Sequence, residues 1–310
     1  MFESPNLPPI DLNGVNHIWY ENIQYGSTNK EIMDIFIPTD AVIPTGVVIY
    51  MHAGGFVQWD KSRAYATGQS ISTYLSNNIA FATIDYDLIE TDKELNGYMT
   101  CMDSGKRAIQ FLKLFADLLN IDKSKFHISG ASAGAGIGMW IAYQPDLAEP
   151  GSSNPLLRES TTIKSIDLLR PQSTYNILRW ESEVFATVIP AWDLQLDYES
   201  VPDLKKSLDR TYATENYQDF LNATSYRNSL DMLQFIDDNG GIETYINSPD
   251  VLYTNIVGTS IPDISHSPYH GQIIKQYLDA ESTPNVAYLN GLYTDPSGET
   301  KLNFILRNIG

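Results

Sequence analysis

Phe126-His127-Ile128-Ser129-Gly130-Ala131-Ser132-Ala133-Gly134-Ala135-Gly136-Ile137-Gly138-Met139-Trp140 is the stretch that decides the fold. Phe126–Ser129 reads as a short buried strand, and the segment from Ala135 onward opens a helix. Between them stands Gly130-Ala131-Ser132-Ala133-Gly134, a G-x-S-x-G turn. The pentapeptide alone is a weak signal; its place between a strand and a helix carries the information. A reversal that sharp forces its central residue into a strained backbone conformation and leaves room only for small neighbours two positions away. The serine hydroxyl is lifted above the sheet. The helix amino terminus lies beneath it, where partial positive charge favours a developing oxyanion.

Working outward from that turn, short β-rich runs alternate with helical patterns. Ile32–Ile37 alternates toward Pro38 as a half-buried strand would, whereas Gly46–Met51 and Ala80–Ile84 are nearly continuous apolar runs of strand length. Strands covered on both faces of a parallel sheet have that second pattern. Tyr98–Leu119 carries apolar residues at helical spacing, Ile163–Leu169, Val251–Val257 and Val286–Leu289 are further strand candidates, and helices are predicted over Tyr269–Leu278 and Lys301–Asn308. The fold class is therefore α/β: a mostly parallel sheet flanked by helices in one domain spanning 1–310. From about 175 to 247 the pattern loosens into a segment dense in acidic and aromatic residues, among them Trp180, Phe185, Trp192, Tyr212 and Phe220. A segment that long between two strands is expected to be a helical, cap-like insertion over the carboxyl edge of the sheet. An ordinary run of surface helices with core aromatics fits the same pattern.

Composition narrows the function classes. Lys and Arg number 20 against 38 Asp and Glu, a net charge of −18, so a nucleic-acid partner and an anionic membrane surface are both disfavoured. Cys101 is the single cysteine, which removes an internal disulfide, a cysteine-rich zinc site and an iron–sulfur cluster. No metal or organic cofactor motif appears, and no stretch approaches the roughly 20 apolar residues of a membrane span. A soluble protein is expected, either cytoplasmic or secreted after loss of a signal peptide, acting on a small-molecule partner.

His52-Ala53-Gly54-Gly55-Phe56 follows the strand Gly46–Met51 directly. Glycines there let the chain turn its amides toward the serine, so the amides of Gly54, Gly55 and Ala133 form the natural oxyanion hole for a tetrahedral intermediate. His52, at a strand end upstream of the elbow, is read as orienting that loop rather than as an acid or base. The two motifs, in this order, resemble the α/β-hydrolase fold and, within it, the hormone-sensitive-lipase-like carboxylesterases. His52-Ala53-Gly54-Gly55 matches their HGGG loop with Ala53 for the first glycine, and Asp85-Tyr86-Asp87 echoes their DYR with Asp87 in place of arginine. Asp103, Ala108 and Asn120-Ile121-Asp122 fit the helix and turn before the elbow, and Asp146–Ala148 through Arg158–Thr161 is similar to a segment of some bacterial members. The likeness is closest over 32–174.

The resemblance implies a serine hydrolase cleaving carboxylic esters, with chain order Ser, then Asp or Glu, then His. Ser132 is the expected nucleophile. Asp263, placed after the expected penultimate strand Val251–Val257, is the expected acid. The loop after the last strand, Asn290–Gly298, where the family's histidine normally lies, contains none; only His266 and His270 follow Ser132 at all. The expected triad is thus Ser132, Asp263 and His266, with His270 as the other candidate base. A fold that keeps the serine cavity but only binds a ligand or partner remains the competing reading. The aromatic insertion suggests small or medium acyl or aryl esters.

Overall fold

The computed structural model describes residues 7–67, 70–90, 97–189, 192–252 and 264–310. Nine strands form one sheet: β1 (His17–Gln24), β2 (Ile32–Pro38), β3 (Thr45–Met51), β4 (Ala80–Ile84), β5 (Ile121–Ala131), β6 (Ser165–Leu169), β7 (Glu243–Ser248), β8 (Asn285–Leu289) and β9 (Tyr293–Thr294). Their order is β1-β2-β4-β3-β5-β6-β7-β8-β9. The six from β4 to β8 run parallel, while β1, β2 and β9 add antiparallel edges.

Alternation along the central strands sends side chains to two separate cores. Val47, Ile49 and Met51 pack beneath the helices Gly97–Leu114, Ala133–Ala142 and Pro268–Ala280. Val48 and Tyr50 pack on the other face with Ile71–Ser76 and Lys301–Ile309. Every residue of β3 and β4 is buried, which is why those runs show no polar alternation.

The strands read at 32–37, 46–51, 80–84, 163–169 and 286–289 match observed strands to within two residues at each end. Two expectations need correction, and one strand was not anticipated. The Tyr98–Leu119 helix breaks at Phe115 into Gly97–Leu114 and Ala116–Leu119. The penultimate strand is not Val251–Val257 but β7, Glu243–Ser248; Val251 and Leu252 are irregular, and 253–257 lie outside the described residues. Val251–Val257 is the more apolar run, yet β7 is the segment that pairs with β6 and β8. Finally, β1 escaped the sequence reading because its pairing slips between Tyr20 and Ile23, where Asn22 is left-handed (φ 55°), breaking the two-residue period.

Between β6 and β7 the helices Leu194–Ser200, Pro202–Tyr212, Tyr217–Asn222, Thr224–Asn228 and Met232–Asn239 follow one another. The first three share a third apolar cluster, in which Trp180, Phe185, Leu194, Tyr198, Leu208, Tyr212 and Phe220 are buried.

Candidate active site

Parallel pairing of β3 with β5 places Met51 beside Gly130, so the chain leaves both strands at one edge of the sheet and at neighbouring positions. From β5 it turns into the helix Ala133–Ala142 through Ser132, whose φ of 49° and ψ of −115° lie far from the ordinary regions for a side-chain-bearing residue. The flanking glycines are sterically obligatory. A Cβ on Gly130 would lie 2.6 Å from the Ala135 Cα, and one on Gly134 would lie 2.1 Å from the Met51 carbonyl oxygen and 2.7 Å from that of His52. The Ser132 amide donates to the Leu169 carbonyl at 2.9 Å, tying the elbow to the end of β6 as well.

From β3 the chain enters three successive left-handed residues, Gly54 (φ 129°), Gly55 (φ 59°) and Phe56 (φ 64°). His52 holds this loop. Its ring stacks on Tyr86 at 4.2 Å, its Nδ1 lies 2.6 Å from the Ala53 carbonyl, and the Tyr86 hydroxyl donates to the His52 carbonyl at 2.8 Å. Burial pushes the His52 imidazole down to about 4, so it is neutral at pH 7 and its Nδ1–H serves the loop backbone. Among the described residues neither Gly54 nor Gly55 donates its amide to a protein acceptor. Ala133 is the first residue of its helix, where no intrahelical acceptor exists. All three line the same cavity as Ser132.

The structure brings His266 to Ser132: Nε2 lies 2.9 Å from Oγ, across 134 positions of sequence. His266 sits in the turn before the Pro268–Ala280 helix, in the connection from β7 to β8. Two contacts hold that turn. Gln172, just past β6, donates to the Ser265 carbonyl at 2.8 Å and accepts from the Tyr175 hydroxyl at 3.1 Å. His270 reaches the Ile264 carbonyl through Nε2 at 3.2 Å and Ser173 Oγ through Nδ1 at 3.0 Å. His270 is fully buried against Trp180 and Phe185, and that burial pushes its imidazole down to about 3. It is a core residue that braces the His266 turn and does not reach Ser132. Asp263 lies outside the described residues.

Gln172 and Tyr175 were not found from the sequence. Glutamine and tyrosine beyond a strand end carry no motif, and only the fold shows what they touch. Asp87 stands in the DYR-like tripeptide where arginine is usual. Asp87 accepts from Thr28 Oγ1 at 2.6 Å, while a guanidinium arrives from Arg107 on the neighbouring helix, paired with the buried Glu31.

Ser132 and His266 open into a cavity of about 590 Å³, a size that suits a small organic ligand. Phe56, Tyr98, Tyr175 and Trp180 give it aromatic walls, and the helix Pro202–Tyr212 contributes Leu204 and Leu208. Among the described residues no group of three or more His, Cys, Asp or Glu is placed to hold a metal ion, and no helix is long and apolar enough to cross a membrane.

Strand order, the strained serine at the end of β5 and the glycine loop after β3 together define an α/β-hydrolase fold. Comparison with known proteins agrees. The BD-FAE family model matches residues 33–166. Among solved structures, the chain is similar to a truncated carbohydrate esterase from gut microbiota (TM-score 0.60, 12% identity, 88% of this chain and 87% of that one). Thermogutta terrifontis esterase 2 phosphoramylated by tabun gives a TM-score of 0.59 at 13% identity, over 96% of this chain and 93% of that one. An inhibited esterase B from Lactobacillus rhamnosis gives 0.58 at 14%, over 88% and 75%. No curated protein matches the sequence.

Proposed function

We propose that this protein is a serine esterase that cleaves small or medium acyl or aryl carboxylic esters through an acyl-enzyme. The observation that carries the reading is the 2.9 Å contact between Ser132 Oγ and His266 Nε2 inside a cavity also lined by Gly54, Gly55 and Ala133. Ser132 donates its proton to His266 as Oγ attacks the acyl carbon. The carbonyl oxygen becomes an oxyanion and is received by the Gly54, Gly55 and Ala133 amides. His266 returns the proton to the departing alcohol and then activates water to release the acid. Asp263, three residues before His266, is assigned as the carboxylate that orients the imidazole through Nδ1. The helices between β6 and β7 act as a cap, supplying one wall of the cavity. The similar solved structures include an inhibited esterase B and an esterase phosphoramylated by tabun, which supports this reading.

Incubation with a fluorophosphonate probe tests it. Covalent labelling at Ser132 together with turnover of p-nitrophenyl acetate is the expected result. A folded protein that does neither has kept the cavity for binding alone.

A further inference from the structure

Among the described residues the cavity beside Ser132 is lined by Arg63, Arg170 and Arg210 and by no aspartate or glutamate, although acidic residues outnumber basic ones 38 to 20 in the chain. Arg170 is held in an ion pair with Asp250 at 3.0 Å. Arg63 differs: among the described residues it meets no carboxylate, and its guanidinium lies 4.5 Å over the ring of Trp59. Stacking occupies the guanidinium face and leaves its edge, the fork that matches a carboxylate, available.

The segment carrying this pair is anchored on its far side. Lys61 donates its backbone amide to Asp85 and its Nζ to Asp34 at 3.0 Å, and its carbonyl accepts from Thr83 Oγ1 at 2.8 Å. Tyr65 Oη donates to the same Asp34 at 2.5 Å. The acids of this neighbourhood are thus engaged by Lys61 and Tyr65, and Asp60 accepts from the Ser62 amide at 2.8 Å. Arg63 lies half-buried at the cavity wall, and among the described residues no carboxylate pairs with it. The surrounding protein, at −18, repels anions at long range, so a fixed local cation is what an anionic substrate would need there.

We infer that the cavity takes esters bearing a carboxylate, with Arg63, stacked on Trp59, as the residue that selects them. The inference rests on the esterase reading of Ser132 and adds the substrate class. The carboxylate belongs either to the acyl part, as in a monoester of a dicarboxylic acid, or to the alcohol part, and the test separates the two.

Three chromogenic substrates are compared at low salt: p-nitrophenyl butyrate, the p-nitrophenyl monoester of glutaric acid, and 3-carboxy-4-nitrophenyl butyrate. In the wild type, kcat/KM for one carboxylated ester is expected to exceed that for the neutral ester at least tenfold, and which one identifies the side. Arg63→Gln is expected to lower that ratio about tenfold and Arg63→Lys to keep most of it. Comparing ratios between variants cancels the intrinsic reactivity of each ester. Turnover of the neutral ester with both carboxylated esters disfavoured, or equal losses on all three in Arg63→Gln, overturns the inference while the esterase reading stands. If no ester is turned over, the esterase reading has failed, and calorimetric titration with glutarate decides separately. Binding that Arg63→Gln weakens about tenfold upholds the anion site, and absence of binding removes it.

Discussion

Ser132 and Ser165 each share a hydrogen bond with a histidine, at 2.9 Å to His266 and 2.8 Å to His127, but they differ in exposure and in backbone setting. On the second pair a carboxylate is in place: His127 Nε2 lies 3.0 Å from Asp167, and Lys301 approaches the other oxygen at 3.5 Å. By its hydrogen bonds, Ser165–His127–Asp167 has the make-up of a serine–histidine–carboxylate constellation. It is also sealed. His127 and Ser165 are fully buried cross-strand neighbours on β5 and β6, neither lines the cavity, and the serine bonds Nδ1 while the acid takes Nε2. Ser132 instead sits on a strained turn facing space, with unengaged amides beside it. What separates a candidate catalytic serine from a core polar network is access and a place for negative charge, not the hydrogen bond to histidine.

The two regions should therefore fail in different ways. The largest expected effect is on turnover: Ser132→Ala and His266→Ala should each lower kcat/KM on p-nitrophenyl acetate by about 10³-fold or more, with little further loss in the double variant. An unchanged rate in His266→Ala rejects its assignment as base. Next comes stability. His127→Leu leaves the Asp167 carboxylate buried without its imidazole partner, and chemical denaturation should show a loss of about 3–5 kcal/mol. The rate per folded molecule should stay within a few-fold of wild type; a rate that collapses with Ser132-like severity would erase the distinction drawn here.

Acid should loosen the buried histidines before the carboxylate. Burial lowers the imidazoles of His127, His52 and His270, the last two to about 4 and about 3. Their folded values lie below the unfolded value near 6.5, so the stability they contribute is present above that pH and is lost as pH falls toward the folded values. Asp167 is pushed up by burial, but Lys301 and His127 more than offset this and hold it below the ordinary carboxylate range. Its contribution is lost only under stronger acid. The melting temperature should thus fall progressively below about pH 6.5; a flat profile down to pH 4 contradicts the neutral, buried assignment. The smallest change expected is Ser165→Ala, about 1–3 kcal/mol for a ring nitrogen left without its partner, with turnover unaffected.

The legible parts of the molecule were those encoded locally. Ser132 announced itself because glycine, serine and glycine must occur together where Gly130 and Gly134 press against backbone. His52 through Gly55 was readable for a similar reason, since two successive residues with positive φ, Gly54 and Gly55, favour glycine. The site histidine was half legible: scarcity left His266 and His270 as candidates, but nothing local distinguished the one that reaches the cavity from the one packed under Trp180. Burial decides that, and burial is a property of the folded chain. The penultimate strand was misplaced for the same reason, because β7 is made a strand by its neighbours more than by its own residues.

The contact of Gly134 with the carbonyl oxygens of Met51 and His52 has one further consequence. The hydroxyl and the amides opposite it ride on two strands wedged together at a spacing with no slack, whereas the wall contributed by the helices between β6 and β7 belongs to a separately packed cluster. Warming that frees those helices changes how readily a molecule gets in or out. It leaves the register between hydroxyl and amides untouched until the sheet itself gives way.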